Sequence, residues 1–185
     1  TALMFFTRIP IPFKIPYSNE IMNQSQKYYA AIGLLVGAFN AIIYTICQFI
    51  LPIDIAIIIT MITSILLTGA FHEDGFTDVC DSFGGGYGKE KILTIMKDSR
   101  IGAYGVIGAI LLLLLKFTSL KHIAENNFWL MIFSIVAAHS VSRFFSGMMI
   151  YTHDYVTDID KSKSKPMANK ALPIKNLVIS FLFCL

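Results

Sequence analysis

Four apolar stretches constrain this chain more than anything else in it, at about Tyr28–Ile50, Ile53–Ala70, Ile101–Leu120 and Phe128–Ile150. Each is close to the ~20 residues that an α-helix needs to cross a hydrocarbon core of about 30 Å. The expected fold is therefore all-α, a polytopic bundle of membrane helices that forms a single domain over residues 1–185 in a lipid bilayer. Composition agrees, because 55% hydrophobic and 15% charged residues do not make an ordinary soluble domain. A fifth apolar segment, Ile174–Leu185, has only twelve residues and cannot span as a helix. Since the chain also does not begin with Met, it is expected to be a piece of a longer protein.

The charges are segregated between the spans. Arg8, Lys14 and Lys27 precede the first span, Lys89, Lys91, Lys97 and Arg100 lie between the second and third, and Lys161, Lys163, Lys165, Lys170 and Lys175 follow the fourth. The alternate loops hold no Lys or Arg at Leu51–Pro52, and only Lys116 and Lys121 near the end of the third span. The positive-inside rule then puts the N-terminus, the segment 71–100 and the lysine loop on the cytoplasmic side of the cell (inner) membrane. A net charge of +3 is accounted for by this topology and calls for no nucleic-acid partner.

Within the spans, Gly33 and Gly37 form a GxxxG pair that lets another helix pack closely. Tyr28 and Tyr29 are expected at the interface, Asn40 between helices, and Lys116 reaching the far interface. The second span is expected to run on past the membrane boundary as one helix. His139 and Arg143, at i and i+4 inside the fourth span, should face a protein interior or a cavity, because a charge at that depth costs at least ~2.5 kcal/mol. Cys47, Cys80 and Cys184 have no metal-binding or redox spacing.

Between the second and third spans lies FHEDGFTDVCDSFGGGYGKEKILTIMKDSRIGAYG, from Phe71 to Gly105. Asp74, Asp78 and Asp81 stand at i, i+4 and i+7, within a ~60° arc of one helix face. Three stacked carboxylates repel unless a cation sits among them, and oxygen-rich sets suit Mg²⁺ or Mn²⁺, which favour phosphate oxygens as further ligands. Glu73, about 100° off that face, is a further candidate ligand. A solvated acidic cap on a membrane helix is the alternative. Gly84, Gly85, Gly86 and Gly88 then end the helix and free the backbone to approach an anion. The segment has no GxxxxGK[ST], so a P-loop is excluded. Lys97 and Arg100 can neutralise phosphate, Arg100 through its planar fork, or can serve only as anchors of the next span. Arg143 can contact phosphate from across the bundle or pair with a carboxylate.

HEDGFTDVCDSFGGG followed by KEKILTIMKDSRIGAYGVIG resembles the signature of the cobalamin-5′-phosphate synthase (adenosylcobinamide-GDP ribazoletransferase) family. FFTRIPIP at Phe5–Pro12 and YYAAIGLLVGAFN at Tyr28–Asn40 are similar to that family's N-terminal segment and first span, and beyond about Gly105 the likeness is mainly hydropathy. The family commonly has Gly where this chain has Ser82.

The resemblance implies a membrane phosphotransferase of cobalamin biosynthesis, with Mg²⁺ as cofactor. It would join adenosylcobinamide-GDP and α-ribazole, or its 5′-phosphate, to give adenosylcobalamin or its 5′-phosphate plus GMP. Asp74, Asp78 and Asp81, with Glu73, would hold the metal, Lys97, Arg100 and Arg143 would bind phosphate, and Asp81 or Asp98 would be the general base. A homo-oligomer is compatible with this reading. Two alternatives stand beside it. A phospholipid-type CDP-alcohol phosphotransferase would carry DGxxAR, which is absent because Asp78-Val79 occupies the Ala-Arg position. A transporter or channel would use Arg143 and the exit carboxylates as an ion path, but no internal repeat is present.

Overall fold

The computed structural model describes residues 1–12, 18–153 and 173–184, and every regular element among them is helical. In chain order these are α1 (Ala2–Phe6), α2 (Asn19–Ser25), α3 (Tyr29–Ile50), α4 (Ile53–Thr68), α5 (Phe71–Gly85), α6 (Lys89–Lys97), α7 (Ala103–Asn126), α8 (Phe128–Thr152) and α9 (Ile174–Leu182). A 3₁₀ turn, Gln26–Tyr28, joins α2 to α3, so the first long apolar helical run is Glu20–Ile50. That run, α7 and α8 are each long and apolar enough to cross a membrane, and α4 with α5 would make a fourth if the bent pair is one span. The lysine segment Lys161–Lys170 and Lys14 lie outside the described residues.

The bundle is organised by two very short connections. Leu51 and Pro52 separate α3 from α4, and Asn127 alone separates α7 from α8. Asn127 caps α8, its side-chain oxygen accepting the Leu130 N–H at 2.9 Å. At this end Lys121 of α7 pairs with Asp54 in the first turn of α4 at 2.8 Å, and Tyr44 stacks on Phe128 at 6.3 Å. An apolar cluster of Tyr44, Ala56, Ile57, Met61, Met131 and Ile135 fills the space between the helices. At the opposite end a second cluster joins α1 to α3, with Phe6 edge-on to Tyr29 at 4.4 Å. Tyr29 is therefore core, not an interfacial ring, whereas Tyr28 is exposed beneath the Lys27 ammonium.

The outer surface is apolar, with Phe49, Leu66, Leu115 and Phe133 all well exposed. A rim of this kind is the reverse of a soluble protein's surface and requires lipid or further helices against it.

The tightest seam is α3 on α8. A side chain on Gly33 would strike the His139 carbonyl oxygen, and one on Gly37 would lie 2.7 Å from the Val136 Cα. The GxxxG pair thus works as helix contact. Ser140 of α8 locks the seam, donating to the Ala30 carbonyl at 3.2 Å and to the Phe183 carbonyl beyond α9 at 2.9 Å. Among the described residues Asn40 does not bridge helices: its amide donates to the Val36 carbonyl of its own helix at 2.8 Å.

The second span does not continue as one helix. Gly69 and Ala70 both adopt left-handed backbone (φ 67° and 56°), and α5 leaves α4 at 88°. The Ala70 N–H closes onto the Ile65 carbonyl at 2.9 Å, the six-to-one bond that ends a helix when glycine follows its last turn. The Arg8 guanidinium lies against Gly69 where a Cβ would stand, and the Arg8 N–H donates to the Leu67 carbonyl at 2.8 Å. The Asp-bearing helix therefore lies across the end of the bundle.

Gly37→Leu should lower stability by about 1–3 kcal/mol or prevent folding, since the obstacle is backbone. Unfolding midpoints in an SDS titration would show this, and an unchanged midpoint would mean that the seam is not close-packed.

Candidate functional site

Asp81 is the most committed side chain in the Asp segment. One of its oxygens accepts the Gly102 N–H at 2.7 Å, and the other accepts the Gly105 N–H at 2.8 Å. These donors belong to the first turn of α7, where N–H groups have no partner within the helix and the dipole favours negative charge. The approach depends on glycine. A Cβ on Gly102 or Gly105 would collide with the Asp81 carboxylate, and one on Gly108 would lie 2.5 Å from the Cys80 sulfur. Asp81 thus caps α7 from α5, a role that the Asp spacing did not suggest. The signal was present as Gly102, Gly105 and Gly108, three glycines on one edge of the following helix.

Asp74 and Asp78 lie one helical turn apart on α5, Asp74 exposed and Asp78 half-buried. Glu73 is turned away from them towards the interior, where it lines a cleft. Among the described residues, no three His, Cys, Asp or Glu side chains are grouped tightly enough to hold a metal by themselves. The donor chemistry of Asp74 and Asp78 nevertheless fits Mg²⁺, which is often held by one or two carboxylates with phosphates and waters completing its shell.

The helix α5 runs through Gly84 and Gly85 and ends with Gly86 as its C-cap. A Cβ on Gly84 would meet the Tyr104 ring at 2.5 Å, so this glycine also serves the contact with α7. Gly88, with φ 81°, turns the chain into α6, which brings Lys97 to its exposed last turn. Asp98 and Arg100 follow and engage each other. The Arg100 Nη2 is 2.7 Å from one Asp98 oxygen, and its Nε and backbone N–H also donate to the carboxylate. The side-chain and backbone hydrogen bonds from Arg100 draw the Asp98 pKa from 3.8 to about 2. Asp98 and Arg100 are thus together, though as a surface pair with each other.

Arg143 is elsewhere and is 2% exposed. It lines a cleft of about 280 Å³ between α4, α5, α7 and α8, together with Glu73, His72, Lys116 and His139. Lys116 points into this cleft and does not reach the far interface. The rule that singled out Arg143, a cation deep in an apolar span, applies equally to Lys116 and would have found it. His72 had no such signal. The Arg143 Nη1 donates to the His139 carbonyl at 2.9 Å and lies 3.2 Å from His139 Nδ1, while His139 Nε2 is 3.4 Å from the Ser64 hydroxyl. Arg143 Nε and Nη2 and Glu73 Oε2 are buried without a hydrogen-bond partner among the described residues. Two polar regions therefore flank α5: the Asp74–Asp78 face, and the cleft of Glu73, Lys116 and Arg143.

The whole chain, residues 1–185, matches the family model described as "Cobalamin-5-phosphate synthase". A Shewanella amazonensis protein named adenosylcobinamide-GDP ribazoletransferase is 44% identical over 167 residues, 90% of this chain and 64% of the relative. Namesakes from Vibrio parahaemolyticus and Leptospira interrogans are 47% and 46% identical, covering 91% and 98% of this chain and 63% and 68% of themselves. The chain thus spans a little under two thirds of the length of the first two relatives. No solved structure matches it.

Two outcomes follow from the geometry. Asp81→Ala should cost about 1–3 kcal/mol, because two N–H groups at the start of α7 lose an ionised partner. Asp74→Ala, at an exposed position, should change stability by less than about 0.5 kcal/mol. Comparable losses in SDS unfolding would contradict the capping role. Second, the Asp98 carboxyl should titrate near pH 2 by ¹³C NMR and return to the ordinary carboxylate range in Arg100→Gln. The sign follows from a lowered folded-state pKa: the pairing stabilises above the ordinary value and is lost as pH falls towards 2.

Proposed function

This chain belongs to the cobalamin-5-phosphate synthase family, and from that premise we propose that it is a membrane-embedded, Mg²⁺-dependent transferase of a substituted phosphate group. It would join adenosylcobinamide-GDP to α-ribazole or α-ribazole 5′-phosphate, releasing GMP and forming adenosylcobalamin or its 5′-phosphate. The observation that carries this reading is the turned helix α5, which presents Asp74 and Asp78 one turn apart at the end of the bundle. The names of the relatives supply the donor and acceptor classes. The charge asymmetry between loops supports a cytoplasmic side for α5 and α6, on an inner membrane, where nucleotides are available.

Asp74 and Asp78 would hold the ion, which when bound offsets charge on pyrophosphate oxygens. Lys97 and Arg100, exposed at the end of α6 and just beyond it, would bind the same pyrophosphate. The acceptor hydroxyl oxygen attacks the phosphorus nearer the corrinoid. The anhydride bond to the second phosphorus breaks, and GMP leaves with the bonding electrons. The hydroxyl proton must go to a carboxylate, Asp81 or Asp98. A carboxylate with a pKa of about 2 is a weak base. Asp98 therefore serves only when substrate phosphate draws Arg100 away from it. Asp81 would accept the proton on lone pairs that its two bonds to α7 leave free. For Asp98, substrate binding would switch on basicity that its pairing with Arg100 keeps low in the free enzyme.

An ion path through the cleft is less well supported, because the apolar cluster around Tyr44, Ile57 and Met131 fills the bundle at its opposite end.

The test is GMP release from adenosylcobinamide-GDP by the full-length enzyme in liposomes, with Mg²⁺ and with EDTA. Activity should require the metal, and Asp74→Asn and Asp78→Asn should each lose at least about 100-fold with folding retained. Wild-type turnover in both variants would refute the metal assignment.

A further inference from the structure

We propose that the cleft between α4, α5, α7 and α8 is a second binding site, built for a phosphomonoester carried on a hydroxylated group such as a sugar. Its starting point is Arg143. Nη1 is used within α8, bonded to the His139 carbonyl, while Nε and Nη2 are buried and unpartnered among the described residues. Nε and Nη2 form the side-on edge of the guanidinium, two parallel N–H groups spaced to grip two oxygens of one carboxylate or phosphate. Leaving a charged, buried edge unpaired is among the costlier arrangements in a protein.

Charge balance selects the sign of the ligand. Lys116 and Arg143 face one carboxylate, Glu73, so the cleft holds an excess positive charge before any histidine is protonated. Glu73 is not hydrogen-bonded to the free edge of Arg143, since neither that edge nor Glu73 Oε2 has a partner among the described residues. The two orphans ask for opposite things. Arg143 needs paired acceptors, whereas the Glu73 oxygen needs a donor, which a hydroxyl supplies and a bare anion does not. Water would satisfy the hydrogen bonds but leave the excess charge, and a phosphomonoester brings about −1.5 to −2 at neutral pH.

Size and position complete the argument. A cleft of about 280 Å³ admits a sugar phosphate and is too small for a corrin ring with its nucleotide. Because Glu73 and Asp74 are neighbours on α5, with Glu73 in the cleft and Asp74 exposed, an occupant here lies beside the Asp74–Asp78 face. If the transferase reading holds, on which the occupant's identity rests, the cleft seats the acceptor's phosphate beside the donor's pyrophosphate on the Asp74–Asp78 face.

The experiment is equilibrium binding to the full-length protein in nanodiscs, with EDTA present to silence any metal site. The probes are ribose 5-phosphate, ribose, and phosphatidate added to the bilayer. Ribose 5-phosphate should bind at least tenfold more tightly than ribose. Arg143→Gln and Lys116→Gln should each weaken it about 10- to 100-fold, the range of a lost charge-assisted bond. Arg143→Lys should recover only part of the loss, because a point charge cannot replace the fork. If Arg143→Gln does not fold, Lys116→Gln and Glu73→Gln carry the test. Equal binding of the two sugars, or unaltered affinity in the variants, would overturn the site. Displacement by phosphatidate with no binding of ribose 5-phosphate would make it a lipid headgroup site and overturn the acceptor assignment. Loss of GMP release with this binding intact would count against the proposed reaction and leave the site standing.

Discussion

The hydrogen bonds from the first turn of α7 to Asp81 decide where the acidic helix α5 lies. A lateral helix of fifteen residues, polar along much of its length, would not hold a fixed position by apolar burial, and only Ser82 of α5 is a buried residue. Its place is set instead by the left-handed corner at Gly69 and Ala70, and by the Asp81 carboxylate on the Gly102 and Gly105 amides. Once α5 is fixed at both ends, its two faces acquire different neighbours. Asp74 is left exposed, and Glu73 enters the bundle beneath.

This division changes how the acidic segment is understood. Its carboxylates read as a set by spacing alone, but they have separate tasks in the fold. Asp81 is architectural in the free protein, Asp74 and Asp78 stand one turn apart as the pair proposed to hold the metal, and Glu73 belongs to the cleft. The basic residues divide in the same way. Arg100 is paired with Asp98 at the surface, whereas Arg143 and Lys116 are enclosed, where a charge has far more effect than in water. Under the proposed transferase reading, the two cationic regions would each offset the charge of one phosphate-bearing substrate.

Much of the fold was legible in the sequence because bilayer spans are set by hydropathy and length. The GxxxG pair at Gly33 and Gly37 was legible for a similar reason, since backbone contact needs small residues at that interval. The break at Gly69 was not. A single glycine inside an apolar run is common, and its left-handed turn depends on Ala70 joining it and on Arg8 packing against it. The capping role of Asp81 was also hidden, because helical spacing relates side chains on one helix and says nothing about the neighbouring helix's free N–H groups. The inward turn of Lys116 was missed because the third span was read as ending at Leu120, which puts the lysine near its end, whereas α7 runs to Asn126.

Whether Asp81 ties α5 to the start of α7 is read directly by site-resolved hydrogen exchange on the full-length protein in nanodiscs. Gly102 is solvent-exposed, so its amide has no protection other than its bond to Asp81. Gly102 and Gly105 should exchange at least about tenfold more slowly in the wild type than in Asp81→Ala, with the far end of α7 unchanged. Rapid exchange of Gly102 in the wild type, or equal rates in the two proteins, would contradict that tie.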